Sequence, residues 1–237
     1  MTDGFHLDPP TTENLENAQR GWRTGTLRVS IPAETEYWRV LRAPSRADAL
    51  SYAEVCYPSD ANNRFSPVLS SGAPIPSAYA GASEPIALWE VVLRNIRHGG
   101  IKRVPRHETR DRYLVRVKTL RALELLDLRR PAISALVDPG NRPPDLSAAW
   151  PVAYETTRLW AQRLVERIPQ ADGFIYESHQ VPGECIVLFQ PTAPKVFATI
   201  GDAVPVDEGT GRKLLEAQAR RANAVVDFGD LPDPPET

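Results

Sequence analysis

Two periods of apolar and polar residues alternate along this chain, and the points where the period changes mark out its elements. Glu36-Tyr-Trp-Arg-Val-Leu-Arg42 alternates every second residue, as a strand does. Asp111-Arg-Tyr-Leu-Val-Arg-Val-Lys-Thr119 sets β-branched and aromatic residues against charges and predicts a second strand. Ala122-Leu-Glu-Leu-Leu-Asp127 extends that region as either helix or strand, because so short an apolar run fits both periods. Three further strands are expected at Gly173–Ser178, Cys185–Phe189 and Lys195–Ile200. The helical period takes over at Ala153–Ile168, where Thr157, Trp160, Leu164 and Ile168 share a face. It returns from Glu208 to Val225, with a start blurred by Gly209 and Gly211.

One stretch breaks its own pattern. Ser77-Ala-Tyr-Ala predicts a short strand and Gly81 a turn, and Ser83 is an N-cap with Glu84 and Pro85 suited to the first helical turn. Ile86, Trp89, Leu93 and Ile96 then fall on one side of a helix expected to reach about Arg97 and to stop at Gly99-Gly100. Glu90 projects into that same apolar stripe, between Ile86 and Leu93. A carboxylate there is unfavourable unless something pairs with it. Arg94, four residues on, offers an ordinary i,i+4 partner, so a salt bridge on a tilted helix explains Glu90 without any chemistry.

Composition narrows the class. In 237 residues the hydrophobic content is 42% and the charged content 24%, as in a soluble globular protein with a good core. The net charge of −2, with both signs interspersed, leaves no electrostatic footprint for nucleic acid or an anionic membrane surface. No apolar run approaches a membrane span, and the first ten residues lack the basic and apolar regions of a secretory leader. Cys56 and Cys185 are lone thiols, which suits a reduced, cytoplasmic setting. With His6, His98, His107 and His179 also scattered, no metal is expected. Helices and strands mix without strict βαβ alternation. This predicts a single α/β domain of the α+β kind, a mixed β-sheet core with flanking helices.

Four separated pieces carry candidate chemistry: Asn63-Arg64-Phe65-Ser66 in a turn, Ala78-Tyr79-Ala80 on a strand, Glu90 on its helix, and Tyr176-Glu177-Ser178-His179 at a strand end. Together with Tyr37-Trp38-Arg39-Val40 upstream and Cys185-Ile-Val-Leu-Phe189 downstream, their order resembles the RES domain, a family named for its Arg, Glu and Ser. The resemblance implies an ADP-ribosyltransferase-like fold over residues 36–200, with an N-terminal arm (1–35) packed on it and a C-terminal helix and loose tail (201–237). It also implies a bacterial toxin of a toxin–antitoxin pair that cleaves the nicotinamide–ribose bond of NAD. That cleavage is NAD hydrolysis, phosphorolysis or ADP-ribosyl transfer to a protein target, and the expected partner is a helix-turn-helix antitoxin.

On that resemblance Glu90, Arg64, Tyr79 and Ser178 are the candidate catalytic residues, and Arg64, Tyr79, Ser178 and Arg39 the candidate NAD-binding ones. The residue types suit the chemistry. An arginine holds a diphosphate through charge-assisted hydrogen bonds. A tyrosine face stacks on a cationic heterocycle. A fixed carboxylate stabilises the oxocarbenium character that develops as the bond breaks. Ser178 would hydrogen-bond the ribose or a phosphate. Each also has a plain structural reading: Arg64 as a solvated loop residue, Tyr79 as core, Ser178 as a turn residue, Arg39 as a cross-strand ion-pair partner. A non-catalytic nucleotide- or ADP-ribose-binding module is the alternative for the whole.

Overall fold

The alternating segments assemble into one sheet, larger than the pattern alone suggests. The structure is a computed structural model that describes residues 7–56, 63–94, 102–146, 154–189 and 195–229. The strands are β1 (Arg28–Ile31), β2 (Glu36–Arg42), β3 (Leu69–Ser70), β4 (Ala73–Pro74), β5 (Ser77–Gly81), β6 (Lys102–Val104), β7 (Arg112–Thr119), β8 (Leu123–Asp127), β9 (Gly173–Glu177), β10 (Glu184–Phe189), β11 (Phe197–Pro205) and β12 (Ala224–Val226). Eight of them form the main sheet in the order β1-β8-β9-β10-β5-β2-β7-β11. Only the β8–β9 pairing in it is parallel, so the sheet is mixed. The helices are α1 (Thr12–Thr24), α2 (Arg46–Ala53), α3 (Glu84–Val91), α4 (Tyr154–Arg167) and α5 (Gly209–Arg221).

Alternation along the strands sorts the core. From β9 and β10, Phe174, Tyr176, Cys185, Val187 and Phe189 face a core built with α1, α4 and Phe65. Their neighbours Ile175, Ile186 and Leu188 face the other side, beside Ala49 and Ala53 of α2. A third cluster packs α3 and α5 together over Val40 and Leu114. At Gly173 the two strands come so close that an added Cβ would sit 1.9 Å from the Val187 carbonyl oxygen, so only glycine fits.

The ambiguous run 122–127 is a strand, fixed by pairing with both β1 and β9. Two helices carry too little apolar signal to be expected. α1 is polar apart from a few residues but is begun by a capping box between Thr11 and Asn14, and α2 buries only two alanines behind the N-cap Ser45. α3 ends earlier than expected. Leu93 N–H reaches back five residues to the Leu88 carbonyl, at 3.0 Å, which breaks the helical ladder. The expected stop at Gly99-Gly100, and Ile96, lie outside the described residues, as do Ala153 and nearly all of the tail. The last helix also ends early, at Arg221: Asn223 takes a left-handed φ of 52°, and the chain then turns into β12 beside β6.

Gly173→Ala should lower the free energy of unfolding by about 1–3 kcal/mol, since the new methyl group meets backbone that cannot move aside. The midpoint of urea unfolding measures it.

Candidate active site

α3 carries the carboxylate. Ser83 Oγ accepts the Ile86 N–H at 3.5 Å and starts the helix, and Ile86 to Trp89 are buried in succession. Gly183, at the base of the β9–β10 loop just before β10, lies directly on Ile86; a Cβ there would be 2.2 Å from the Ile86 Cδ1. That close seating brings Ser178, the residue after β9, to the helix. Its hydroxyl donates to Glu90 Oε1 at 2.6 Å and accepts the Gln180 N–H at 3.3 Å.

Arg64 approaches the same carboxylate from the other side. Its Nη1 is 3.5 Å from Glu90 Oε2, and the side chains are 9% and 18% exposed. The guanidinium lies over the Tyr176 ring, 5.6 Å from its centre. The loop behind it is held from several elements. Phe65 N–H donates to Tyr79 Oη at 3.2 Å, and Ser66 Oγ is 3.1 Å from the same oxygen. Thr157 of α4 donates to the Arg64 carbonyl at 2.7 Å. Phe65 fills the core beneath, edge-on to Tyr176 and Phe174.

Arg64, Glu90 and Ser178 thus meet, with Tyr79 behind the loop. Arg94 does not take the i,i+4 partner's place: its Nη1 donates to Asn63 Oδ1 at 2.9 Å, and among the described residues it makes no ion pair with Glu90. Arg39 is not part of this group. It points to the opposite face of the sheet, lies 5.5 Å from the centre of the Phe197 ring, and is 4% exposed. Its guanidinium donates to the Ala53 carbonyl at 2.6 Å, and to those of Val55, Tyr52 and Tyr79. These include the last carbonyls of α2, which lack helical partners and favour a cation. In this structure Arg39 closes a helix end.

The electrostatics follow from burial. Burial opposes the Arg64 charge, but the Glu90 carboxylate and then Tyr176 and Tyr154 support it, and its pKa ends above the ordinary value. Burial pushes the Tyr79 phenol up to about 12, against the hydrogen bonds from Ser66 and Phe65. Tyr176 and the Cys185 thiol are raised for the same first reason, with Glu90 adding to both. Arg64 Nε and Nη1 are buried and have no hydrogen-bond partner among the described residues. Native structures seldom leave such donors bare, and these suit an anionic oxygen supplied from outside the chain.

Two contributions escape a sequence reading, and a third does not. Thr157 passes for a packing residue, and the Asn63–Arg94 contact is not encoded in spacing. Tyr176 lies two residues before Ser178, so the period of a strand does place it on the same side. A pocket of about 440 Å³ adjoins the group, lined by the hairpin from Glu177 to Glu184 with Ser178 in its wall. Among the described residues no three His, Cys, Asp or Glu side chains gather as metal ligands, and no helix is long and apolar enough to cross a membrane.

Comparison with known proteins places the chain in a family. The RES domain model matches residues 36–207, well over half of the chain, and the chain belongs to the RES domain family. Among solved structures, one chain of the crystal structure of the M. tuberculosis MbcT–MbcA toxin–antitoxin complex matches with a TM-score of 0.51 and 15% identity, over 88% of this chain and 97% of that one. At that identity the likeness is one of fold: a single α+β domain. A search of curated proteins gives no match.

Two outcomes follow from these side chains. Arg39→Met should lower the free energy of unfolding by about 3 kcal/mol, read from urea midpoints, because buried carbonyls lose their donors. Stability should also fall at alkaline pH. Tyr37 and Tyr79 are each raised from 10.0 to about 12, so the fold favours the neutral phenol. Their contribution is complete below pH 10 and is lost as the pH rises toward about 12. Urea midpoints measured across that window should drop, and drop less in Tyr79→Phe.

Proposed function

We propose that this RES-family chain is the toxin of a toxin–antitoxin pair and that it consumes NAD by breaking the bond between nicotinamide and ribose. The observation that carries the reading is the buried Arg64 guanidinium, with donors left unpaired beside the Glu90 carboxylate. A cation short of acceptors suits a diphosphate, and a fixed carboxylate suits a cationic transition state; NAD presents both. The structural likeness to a chain from a toxin–antitoxin complex supports the biological role and an antitoxin partner.

In this reading Arg64 holds the diphosphate. Glu90, oriented by Ser178 and Arg64, faces the nicotinamide ribose. As the C–N bond breaks, its electron pair leaves with nicotinamide and neutralises the ring. The ribosyl carbon becomes electron-poor, and the carboxylate stabilises it. Water then adds to that carbon, giving ADP-ribose and a proton. Phosphate or a side chain of a protein target would attack the same carbon. No metal is needed for any of these steps.

Purified protein should release nicotinamide from NAD, and Glu90→Gln, which keeps the side chain's shape, should slow release by about a hundredfold or more under conditions where it stays folded, although its unfolding midpoint drops because the buried Arg64 loses its counter-charge. Equal rates for the two proteins would remove Glu90 from the chemistry. ADP-ribose binding without any nicotinamide release would replace the enzyme by a binding module.

A further inference from the structure

The geometry points to Arg94 and Asn63 as positioning residues for the reaction proposed above: a clamp that fixes the Arg64 loop relative to Glu90. The inference rests on the NAD-consuming reading and extends it to two residues that touch neither the substrate nor the carboxylate.

The clamp starts on α3. Beyond Glu90 the backbone stays fixed, because Val92 and Leu93 both donate to the Leu88 carbonyl and both side chains are buried. Arg94 therefore leaves the helix end at a set distance from Glu90. Its Nη1 donates to Asn63 Oδ1, and Asn63 N–H in turn donates to the Ser66 carbonyl at 3.0 Å, closing a tight turn around Arg64. One short helix thus holds the carboxylate directly and, four residues later, the residue next to the guanidinium. Tyr79 and Thr157 fix the later part of the loop; Arg94 is the tie on its leading side.

The clamp also settles which arginine meets Glu90. Arg94 follows Glu90 by four residues in sequence, but the helix has ended before it, and its guanidinium is directed to the Asn63 loop. Bound to the neutral Asn63 amide, Arg94 is kept off Glu90, which remains with Arg64 and Ser178. Loss of Asn63 frees a guanidinium that competes for the carboxylate; loss of Arg94 only loosens the loop.

The test uses the full chain, with Arg94→Ala, Asn63→Ala and the double variant. Nicotinamide release gives kcat and KM, calorimetry gives the Kd for ADP-ribose, and urea unfolding gives stability. Arg94→Ala should raise KM and Kd by about tenfold, since a displacement of an ångström at a positioning group is felt strongly, while the unfolding midpoint holds. Asn63→Ala should be worse and should also lower kcat, and adding Arg94→Ala to it should restore the Arg94→Ala values, the non-additivity expected of one shared contact. Arg94→Lys should recover part of the loss. KM and Kd within twofold of the unmodified chain in Arg94→Ala, or strictly additive effects, would overturn the clamp and leave the NAD reading intact. An unmodified chain that neither releases nicotinamide nor binds ADP-ribose would overturn both.

Discussion

A guanidinium taken out of water and left short of acceptors is the constraint around which the site is built. Arg64 is nine-tenths buried, its contact with Glu90 is 3.5 Å and outside hydrogen-bond geometry, and two of its nitrogens have no partner among the described residues. A buried ion pair stabilises a fold only when its geometry is good and its remaining donors are satisfied. This one meets neither condition, so its justification is not stability. The pair persists because everything around it is fixed: Tyr176 beneath the cation, Phe65 anchored in the core, the Arg64 carbonyl tied to Thr157, and the Phe65 amide and Ser66 hydroxyl tied to Tyr79. Preorganisation of this kind is what makes charged groups effective toward a charge that develops during a reaction.

The sheet keeps two buried arginines apart. Arg39 and Arg64 are both nearly inaccessible, yet one has backbone carbonyls around it and the other does not. The difference comes from strand alternation. Tyr79 turns its ring toward the Arg64 side, while its carbonyl receives the Arg39 Nε and its neighbours Ala78 and Ala80 line the α2 side. One strand therefore helps to supply one cation with acceptors and to fix the other without supplying it with any.

How far the sequence foretells this depends on which physical signal each residue carries. The strands of period two and the helix at α4 stand out because burial enforces their pattern. α1 and α2 do not: α1 sets only Leu15, Ala18 and Trp22 at helical spacing among polar residues, and α2 buries just two alanines. Glu90 is conspicuous from its own helix alone, as a charge among apolar neighbours. Arg64 is not, because a loop has no period to violate. Arg39 shows the limit of strand reasoning: alternation says which residues share a face but not which face becomes the site. Arg94 shows the limit of helix spacing, because the helix ends after Val91 and a loop distant in sequence supplies its acceptor.

The short helix α3 is the element on which these parts depend together. Four consecutive residues, Ile86 to Trp89, are buried, so the helix has almost no free face and cannot rotate in its seat. Ser83 fixes its start, the close contact of Gly183 on Ile86 fixes its side, and the break after Val91 fixes its end. A shift of one residue in its register would turn position 90 by about 100° and place the carboxylate in the hydrophobic cluster now filled by its neighbours. Both contacts to Glu90 would be lost at once, and Arg64 would be buried without a counter-charge, which costs about 3–5 kcal/mol. The pair that contributes little to stability thus contributes to specificity: it makes every alternative seating of α3 worse, and the helix that carries the chemistry is held in place partly by that chemistry.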